Sequence, residues 1–250
     1  HTYGAAGQYE IDAEVSNHAG GEARDSAKAT VVATAPAPVV FSGAGDIGDC
    51  TTPHAEATAK LLDVLPGTVF TLGDNAYPNG TDTDFATCYE PNWGRHKSRT
   101  RPTVGNHEYN TAGASGYFNY FGAAAGDPTK GYYSYDLGAW HIIVLNSNFG
   151  MISASTQLQW LRDDLQTHPV KCTLAMWHAP TFSSGNAHGS VLQTVPLFQA
   201  LYDADADVVL VGHEHNYERF APQDPNGVAD PVRGIREFVV GTGGSGYYNF

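Results

Sequence analysis

Apolar and polar positions alternate in two stretches near the start of the chain, residues 9–15 and 27–33. A period of two predicts strands with one buried face, and the Asn, His and Gly residues between them are typical of a turn. We therefore predict a β-hairpin within the first 34 residues. An isolated hairpin is marginally stable in water, so it either ends a larger β-domain or belongs to the main domain.

From Val39 onwards, short β-type runs alternate with helical patterns. The runs predict strands over residues 39–45, 68–72, 132–136, 140–146, 171–177, 207–211 and 235–241. Helices are predicted over residues 54–65, 156–166 and 196–203, the first with Thr52 as N-cap and Pro53 as its first residue. The turn-rich residues 75–99 and 109–129 are predicted as loops. This mixture predicts a layered α/β sandwich.

The composition narrows the classes of protein. The chain has 250 residues, 42% of them hydrophobic, which is enough for a core in one large domain with or without a small one. Its formal net charge of −13 argues against nucleic-acid binding and against an anionic membrane surface, since both favour Lys and Arg patches. The apolar runs are far shorter than the roughly 20 residues of a membrane-spanning helix.

The three cysteines are Cys50, Cys88 and Cys172, and they form no CxxC pair that would indicate a structural zinc site. Cys50 and Cys88 lie in loops after two predicted strands, where they are either bridged or free. Cys172 lies in an apolar strand and is expected to be a buried thiol. The chain starts at His1, so a leader was either removed or never part of this sequence, and it ends in a glycine-rich turn, which leaves open that the last strands are missing.

Five segments run from β-type residues into side chains that bind metals. The candidate ligands are Asp46, Asp74, Tyr77, Asn106, His178, His213 and His215. Carboxylate, amide, phenol and imidazole suit a pair of hard or borderline metal ions. Strand ends place such loops at one edge of an α/β sheet. A carboxylate that bridges two cations can clamp both sides of an in-line phosphoryl displacement, and we expect Asp74 to be that bridge.

The five segments resemble those of the calcineurin-like metallophosphoesterase superfamily and, within it, the purple acid phosphatase group. The superfamily begins with D-x-H, whereas this chain has Asp46-Ile-Gly48; the purple group instead has a Tyr three residues after the bridging Asp, and Tyr77 stands there. The resemblance covers residues 39–250 and includes Tyr217-Glu218-Arg219 after the last segment. It implies a four-layer αββα sandwich.

The resemblance also implies which residues would bind each metal. An Fe(III) ion would take Asp46, Asp74, Tyr77 and His215, because a phenolate suits trivalent iron. A divalent Zn, Fe or Mn ion would take Asp74, Asn106, His178 and His213. His107 would contact the substrate phosphate and protonate the leaving alcohol, and His188 would be a substrate-side residue of its loop.

The first residues, His1-Thr-Tyr-Gly-Ala-Ala-Gly-Gln-Tyr9, resemble the closing strands of a polycystic-kidney-disease-type immunoglobulin-like repeat. That resemblance implies that residues 1–34 are the tail of such a repeat, that residues 35–38 are a Pro-rich linker, and that residues 39–250 form the metallophosphoesterase domain. The repeat would suggest contact with polysaccharide or protein at a cell surface.

Three hypotheses of function follow. The first is a secreted or extracytoplasmic phosphomonoesterase that acts on small phosphate esters. The second is a phosphodiesterase or nucleotide pyrophosphatase on the same metal site. The third is a surface binding or adhesion protein whose metal domain is inactive, and the complete ligand set speaks against it.

Overall fold

The structure is a computed structural model that describes residues 7–16, 22–31, 39–152, 155–169 and 172–249. The chain divides into two compact units, His1–Pro38 and Val39–Phe250. In the first unit, β1 (Gly7–Ser16) pairs with β2 (Glu22–Val31) as an antiparallel hairpin, with Gly7 opposite Val31. The hairpin matches the alternation in the sequence, although its second strand begins five residues earlier than predicted. The predicted turn, residues 17–21, and linker, residues 35–38, lie outside the described residues, and the assignment to an immunoglobulin-like repeat stays a prediction.

The second unit alternates strands and helices. Its strands are β3 (Phe41–Ala44), β4 (Thr68–Thr71), β5 (Thr100–Arg101), β6 (Tyr133–Leu137), β7 (Trp140–Val144), β8 (Cys172–Met176), β9 (Val208–Val211), β10 (Tyr217–Arg219) and β11 (Arg236–Val240). Its α-helices are α1 (His54–Asp63), α2 (Asp82–Asp84), α3 (Ser115–Phe121), α4 (Phe149–Ile152), α5 (Ser155–Thr167) and α6 (Val195–Asp203). Short 3-10 or π turns cover Phe85–Tyr89, Trp93–Arg99, Glu108–Asn110, Ala112–Ala114, Gly122–Ala125 and Leu192–Thr194.

The strands form two sheets. The larger sheet has the order β10-β11-β9-β8-β7-β6, in which β7, β8, β9 and β11 are parallel and the two edge strands are antiparallel to their neighbours. The smaller sheet has the order β3-β4-β5 and is parallel throughout. Because parallel strands end at the same edge, the loops that follow β3, β4, β5, β8 and β9 can share one site.

Three apolar clusters define four layers. Phe70 and Leu72 pack against Ile142, Val144 and Met176, which joins the two sheets face to face. On the outer side of the smaller sheet, α1, α3 and the turns around Trp93 bury a second cluster. On the outer side of the larger sheet, α5 and α6 bury a third. The predicted αββα sandwich is therefore confirmed.

Residues 109–129 differ from the sequence prediction, because they contain the helix α3 and short 3-10 turns instead of a loop. Glycine and aromatic residues have modest helix propensity, but Tyr117, Phe118 and Phe121 are buried, and the ring of Phe121 packs against Phe85 and Tyr89. Aromatic packing therefore stabilises a helix that local sequence does not favour.

The start of α1 also differs by one residue, because Pro53 rather than Thr52 is the N-cap and no side chain caps the helix. The hydroxyl of Thr52 instead donates to the carbonyl of Gly244, near the end of the described chain. The Thr52 side chain, which the local pattern assigned to capping, thus forms a tertiary hydrogen bond instead.

Cys50 and Cys88 form a disulfide, with their Cα atoms 5.0 Å apart, which settles a pairing that the sequence left open. Cys172 has a free thiol but is half-buried, not buried as predicted, because it is the first residue of β8 at the end of the strand. Among the described residues, none of the helices combines the length and the apolar character that crossing a bilayer requires.

Candidate metal centre

The structure brings all seven predicted ligands to one edge of the two sheets. Asp46 follows β3, Asp74 and Tyr77 follow β4, and Asn106 follows β5, all from the smaller sheet. His178 follows β8, and His213 and His215 follow β9, from the larger sheet. The two sheets therefore supply the two sides of the site.

The first group of donors surrounds the phenol oxygen of Tyr77. That oxygen lies 3.0 Å from Oδ1 of Asp46, 3.3 Å from Oδ2 of Asp74 and 3.1 Å from Nε2 of His215. The Nδ1–H of His215 donates to the carbonyl of Gly246 at 2.6 Å, which leaves the Nε2 lone pair directed at this group. Four atoms that can bind a metal thus face one another, and the Tyr77 hydroxyl contributes one proton to this group.

The second group surrounds Nε2 of His178. This nitrogen lies 3.0 Å from Oδ1 of Asn106, 3.2 Å from Oδ2 of Asp74 and 3.1 Å from Nδ1 of His213. The Nδ1–H of His178 donates to the carbonyl of Leu72 at 2.7 Å, which directs Nε2 at the group. Burial lowers the pKa of His178, but Asp74 outweighs it and raises the pKa to about 10, so a cation would replace the proton on Nε2. Of the other three atoms, the oxygens of Asn106 and Asp74 are acceptors, and Nδ1 of His213 can bind a metal when its ring is neutral.

Asp74 belongs to both groups through one oxygen. Its Oδ2 is 3.3 Å from the Tyr77 phenol and 3.2 Å from His178 Nε2. Donor atoms held about 2.0–2.2 Å from one ion lie roughly 3.0–3.5 Å from one another, which matches the observed spacings. Both groups contain more lone pairs than protons, so their chemistry fits two cations that share Asp74.

Three of the predicted ligands have unusual backbone conformations. Asp46, Asp74 and His213 have φ angles of 61°, 49° and 71°, in the left-handed region that glycine adopts readily and L-residues rarely adopt. Each costs on the order of 1–3 kcal/mol, and such strain clusters at functional sites. The strand-end turns are thus held in conformations that direct these residues inward.

Glycines make the close approach of these turns possible. A Cβ on Gly105 would lie 2.2 Å from Oδ1 of Asp74, and one on Gly73, which has φ +85°, would lie 2.6 Å from Nδ1 of His178. Any larger residue at either position would displace a predicted ligand.

The sequence of residues 43–217 matches the family model for the calcineurin-like phosphoesterase. The chain belongs to this family. The match covers all seven predicted ligands and most of the second unit.

The phosphoesterase chain is also similar to plant purple acid phosphatases. It is 30% identical over 232 residues to purple acid phosphatase 21 of Arabidopsis thaliana, which covers 83% of this chain and 50% of that protein. It is 28% identical over 233 residues to the Fe(3+)-Zn(2+) purple acid phosphatase 12 of the same plant, which covers 78% of this chain and 47% of that protein. The chain spans about half the length of the curated relatives it matches.

Two solved structures share the fold. A purple acid phosphatase from yellow lupin (Lupinus luteus) seeds superposes with a TM-score of 0.69 at 18% identity, over 97% of this chain and 51% of that one. GAP50, the anchor in the inner membrane complex of Plasmodium, superposes with a TM-score of 0.59 at 18% identity, over 84% of this chain and 75% of that one. At this identity the likeness concerns the fold alone, and a fold by itself does not determine function.

Within the phosphoesterase domain, His107 lies beside the two groups without belonging to either. Its backbone N–H donates to Oδ1 of Asp74 at 2.9 Å, and its Nδ1–H donates to the carbonyl of Pro78 at 2.6 Å. The imidazole packs on the ring of Tyr77 with the centroids 4.5 Å apart and leaves Nε2 3.8 Å from Oδ2 of Asp74. The side chain is half-exposed, so its Nε2 can reach a ligand on the open side of the site.

His188 lies beside His213, a member of the second group. Its ring stacks on that of His213, with the centroids 4.0 Å apart and an angle of 29° between the planes. The ring of Tyr248 stacks on His215 at 4.0 Å and is 5.4 Å from His188. The structure therefore brings both histidines that the sequence singled out, His107 and His188, to the site.

Glu108 is a residue that the sequence analysis missed. Its buried carboxylate accepts hydrogen bonds from the backbone N–H groups of Asp74, Asn75, Ala76 and Gly105, at 2.7–3.3 Å. It therefore joins the loops that follow β4 and β5, which carry three of the predicted ligands, Asp74, Tyr77 and Asn106. The signal in the sequence was a charged residue directly after Asn106 and His107, but its burial could not be read from one sequence.

The electrostatic environment of the site favours cations. Burial, then Asp46 and Asp74, raise the pKa of the Tyr77 phenol far above its usual value, so ionisation of this phenol requires a cation. Burial and the neighbouring His178 and His188 lower the pKa of His213 to about 2, which keeps it in the neutral form that binds metals. Burial opposes ionisation of Asp74, but His178 outweighs it and lowers the pKa of the carboxyl.

A second group of metal-binding residue types, His141, Asp164 and His168, lies elsewhere in the larger sheet and α5. Both ring nitrogens of His141 are already engaged, at 2.8 Å from Oδ1 of Asp136 and at 2.7 Å from Oδ2 of Asp164. The rings of His141 and His168 stack nearly parallel at 4.4 Å, so their lone pairs do not converge on one point. This geometry fits a structural bridge between β7 and α5.

Proposed function

We propose that this chain hydrolyses phosphate monoesters at a dinuclear metal site of the purple acid phosphatase type. The observation that carries the proposal is the position of Asp74, whose Oδ2 is shared by two groups of donor atoms. The family membership and the similarity to named purple acid phosphatases support the same reaction class.

The proposed ligands follow the two groups. Asp46, Asp74, Tyr77 and His215 would hold Fe(III), because two carboxylates and the phenolate that Tyr77 forms on binding a cation are hard anionic ligands. Asp74, Asn106, His178 and His213 would hold a divalent Zn, Fe or Mn ion. A relative named as an Fe(3+)-Zn(2+) enzyme supports this pairing. When bound, two such cations activate water and neutralise the charge that develops on phosphorus.

The residues around the donor groups would divide the remaining tasks. His107, held by Pro78, would present Nε2–H to the oxygen of the leaving alcohol and donate its proton as the ester bond breaks. His188, which stacks on His213, would approach a phosphate oxygen from the side of the second donor group. Both side chains are fixed by contacts to the site and need little reorganisation to act.

We further propose that the protein works outside the cytoplasm, secreted or otherwise extracytoplasmic. The disulfide between Cys50 and Cys88 supports an oxidising compartment, because thiols stay reduced in most cytosols. The first unit, if it is the tail of an immunoglobulin-like repeat, would then provide contact with surface polysaccharide or protein.

The deciding experiment combines element-resolved metal analysis, a visible spectrum and turnover of two substrates. We expect two metals per chain, one of them iron, a phenolate-to-iron absorption band, and faster hydrolysis of p-nitrophenyl phosphate than of its bis ester. Preference for the bis ester would support the phosphodiesterase alternative. Less than one metal per chain after loading, with no turnover, would support an inactive binding protein.

A further inference from the structure

The loop of residues 181–190, which carries His188, is held by three buried glutamates. Glu214, Glu218 and Glu237 are 0%, 6% and 0% exposed. Glu214 lies in the loop after β9, between the proposed ligands His213 and His215, whereas Glu218 is in β10 and Glu237 is in β11 of the larger sheet. Among the described residues, none of the three is paired with a Lys or Arg side chain, so hydrogen-bond donors stabilise them. In Glu214 and Glu237 these donors reach Oε1, while the buried Oε2 has no hydrogen-bond partner in the described part of the chain.

The loop supplies those donors along its length. At its start, the backbone N–H groups of Thr181 and Phe182 donate to Oε1 of Glu237 at 2.8 and 3.3 Å. In its middle, the Ser183 hydroxyl and the Ser184 N–H donate to Glu218 at 2.6 and 2.8 Å.

The third glutamate holds the part of the loop that matters for chemistry. Oε1 of Glu214 accepts hydrogen bonds from the backbone N–H groups of both His188 and Gly189, each at 2.5 Å. Two donors on one carboxylate oxygen fix the direction of the peptide that carries the His188 side chain. Gly185 shows how close the approach is, since a Cβ there would lie 2.7 Å from the Glu214 carboxyl carbon.

Glu214 also lies within the turn that carries two of the proposed ligands. Its N–H donates to the carbonyl of Gly212 at 2.9 Å, and its carbonyl accepts from the N–H of Asn216 at 2.7 Å. The same residue therefore shares a rigid backbone with His213 and holds the backbone of His188, and the two imidazoles stack at 4.0 Å.

We propose that Glu214 is a positioning residue that fixes His188 over His213 and so sets where His188 meets the phosphate group. This inference rests on the proposed function, because it assigns the placement of one substrate-side residue of that site. The proposed role depends on the position of the carboxylate oxygen, which accepts from two backbone N–H groups, and not on the charge of the carboxylate. Reach and charge can be separated by two conservative substitutions.

Glu214→Asp keeps the charge but withdraws the oxygen by one methylene, whereas Glu214→Gln loses the charge and keeps an acceptor at the same reach. In the full, metal-loaded chain we expect Glu214→Asp to lower kcat/KM for p-nitrophenyl phosphate by roughly 10- to 100-fold, as misplacement of a positioned group does. Glu214→Gln is expected to retain most of the wild-type kcat/KM. Both variants should keep two metals per chain.

The double variants test whether Glu214 acts through His188. We expect Glu214→Asp combined with His188→Ala to be no slower than His188→Ala alone, since the positioning is of no use without the imidazole. Two results would overturn the proposal in favour of a charge effect at the metals. One is a double variant whose loss of kcat/KM is the product of the two single losses, and the other is a larger loss in Glu214→Gln than in Glu214→Asp.

Hydrogen exchange provides a readout that does not depend on activity. The amides of His188 and Gly189 should exchange slowly in the wild type and in Glu214→Gln, and faster in Glu214→Asp, while exchange in α5 is unchanged. Equal exchange in all three proteins would overturn the positioning role even if the enzyme is active. If exchange follows the expectation but no phosphate ester is hydrolysed, the proposed function fails and the contact itself stands.

Discussion

The phenol oxygen of Tyr77 lies 3.1 Å from Nε2 of His215, although the two residues are 138 positions apart in the chain. Tyr77 comes from the smaller sheet and His215 from the larger one, so this contact exists only because the sheets pack face to face. Asp46 and Asp74 complete the group at 3.0 and 3.3 Å from the same oxygen. A phenol among two carboxylates and an imidazole is arranged so that a bound cation would replace its proton, which is released to solvent.

Replacing Tyr77 by Phe should remove the phenolate-to-iron absorption band while the fold stays intact. The ring packs on His107 at 4.5 Å, and Phe retains that contact. Visible and circular dichroism spectra check the two expectations. Tyr248→Phe is the matched control, because its ring stacks on His215 without joining the donor group, and this variant should keep the band. Absorption that survives in Tyr77→Phe would contradict the assignment.

Asp74→Asn should abolish binding of both metals, because one neutral amide would replace the carboxylate that both donor groups share. Metal content after loading and dialysis measures this. Asp49→Asn serves as control, since Asp49 lies nearby and bonds Thr51 and Ser245 but belongs to neither group. A variant of Asp74 that retained one metal would limit this residue to a single site.

His107→Ala should leave two metals per chain and reduce turnover by about 100-fold or more, as the loss of a general acid does. The side chain contributes no atom to either donor group, so metal content and fold should not change. Asn110→Ala removes another donor to the same Pro78 carbonyl, at 3.4 Å, and should keep normal turnover. Unchanged turnover in His107→Ala would exclude His107 from proton transfer.

Glu237 should make the stability of the chain depend on pH. Burial raises the pKa of its carboxyl from the ordinary 4.5 to about 8, so folding favours the protonated form. This contribution to stability is complete below about pH 4.5 and is lost as the pH rises towards 8, by up to about 1.4 kcal/mol per pH unit.

Glu237→Gln tests that dependence, because its amide oxygen can still accept from Thr181 and Phe182. Urea unfolding should show the variant gaining stability relative to the wild type between pH 5 and pH 8. Asp163→Asn, an exposed carboxylate on α5, should show no such trend. A constant difference across the pH range would mean that Glu237 remains ionised in the folded protein.

The residue types in five short segments, through the family that they resemble, were enough to predict the αββα architecture and the family. They also named candidate ligands that the structure brings together, because side chains at strand ends in this order are specific. The pairing of Cys50 with Cys88 and the helix α3 were beyond the sequence alone. Whether Cys50 and Cys88 meet depends on how the loops after β3 and β4 fold over the smaller sheet. The helix α3 is stabilised by aromatic contacts across 30 or more residues of chain rather than by its own propensity.

The sequence by itself determined which side chains this protein can offer to metals and where strands turn into ligand loops, since local patterns and residue chemistry carry that information. Only the tertiary structure decided that Oδ2 of Asp74 is common to two donor groups, that Glu108 joins two of the loops, and that Glu214 holds His188 over His213. The first relationship requires the two sheets to pack face to face, because Asp74 and His178 come from different sheets. The other two require neighbouring strands of one sheet to bring their loops together, which no local pattern determines.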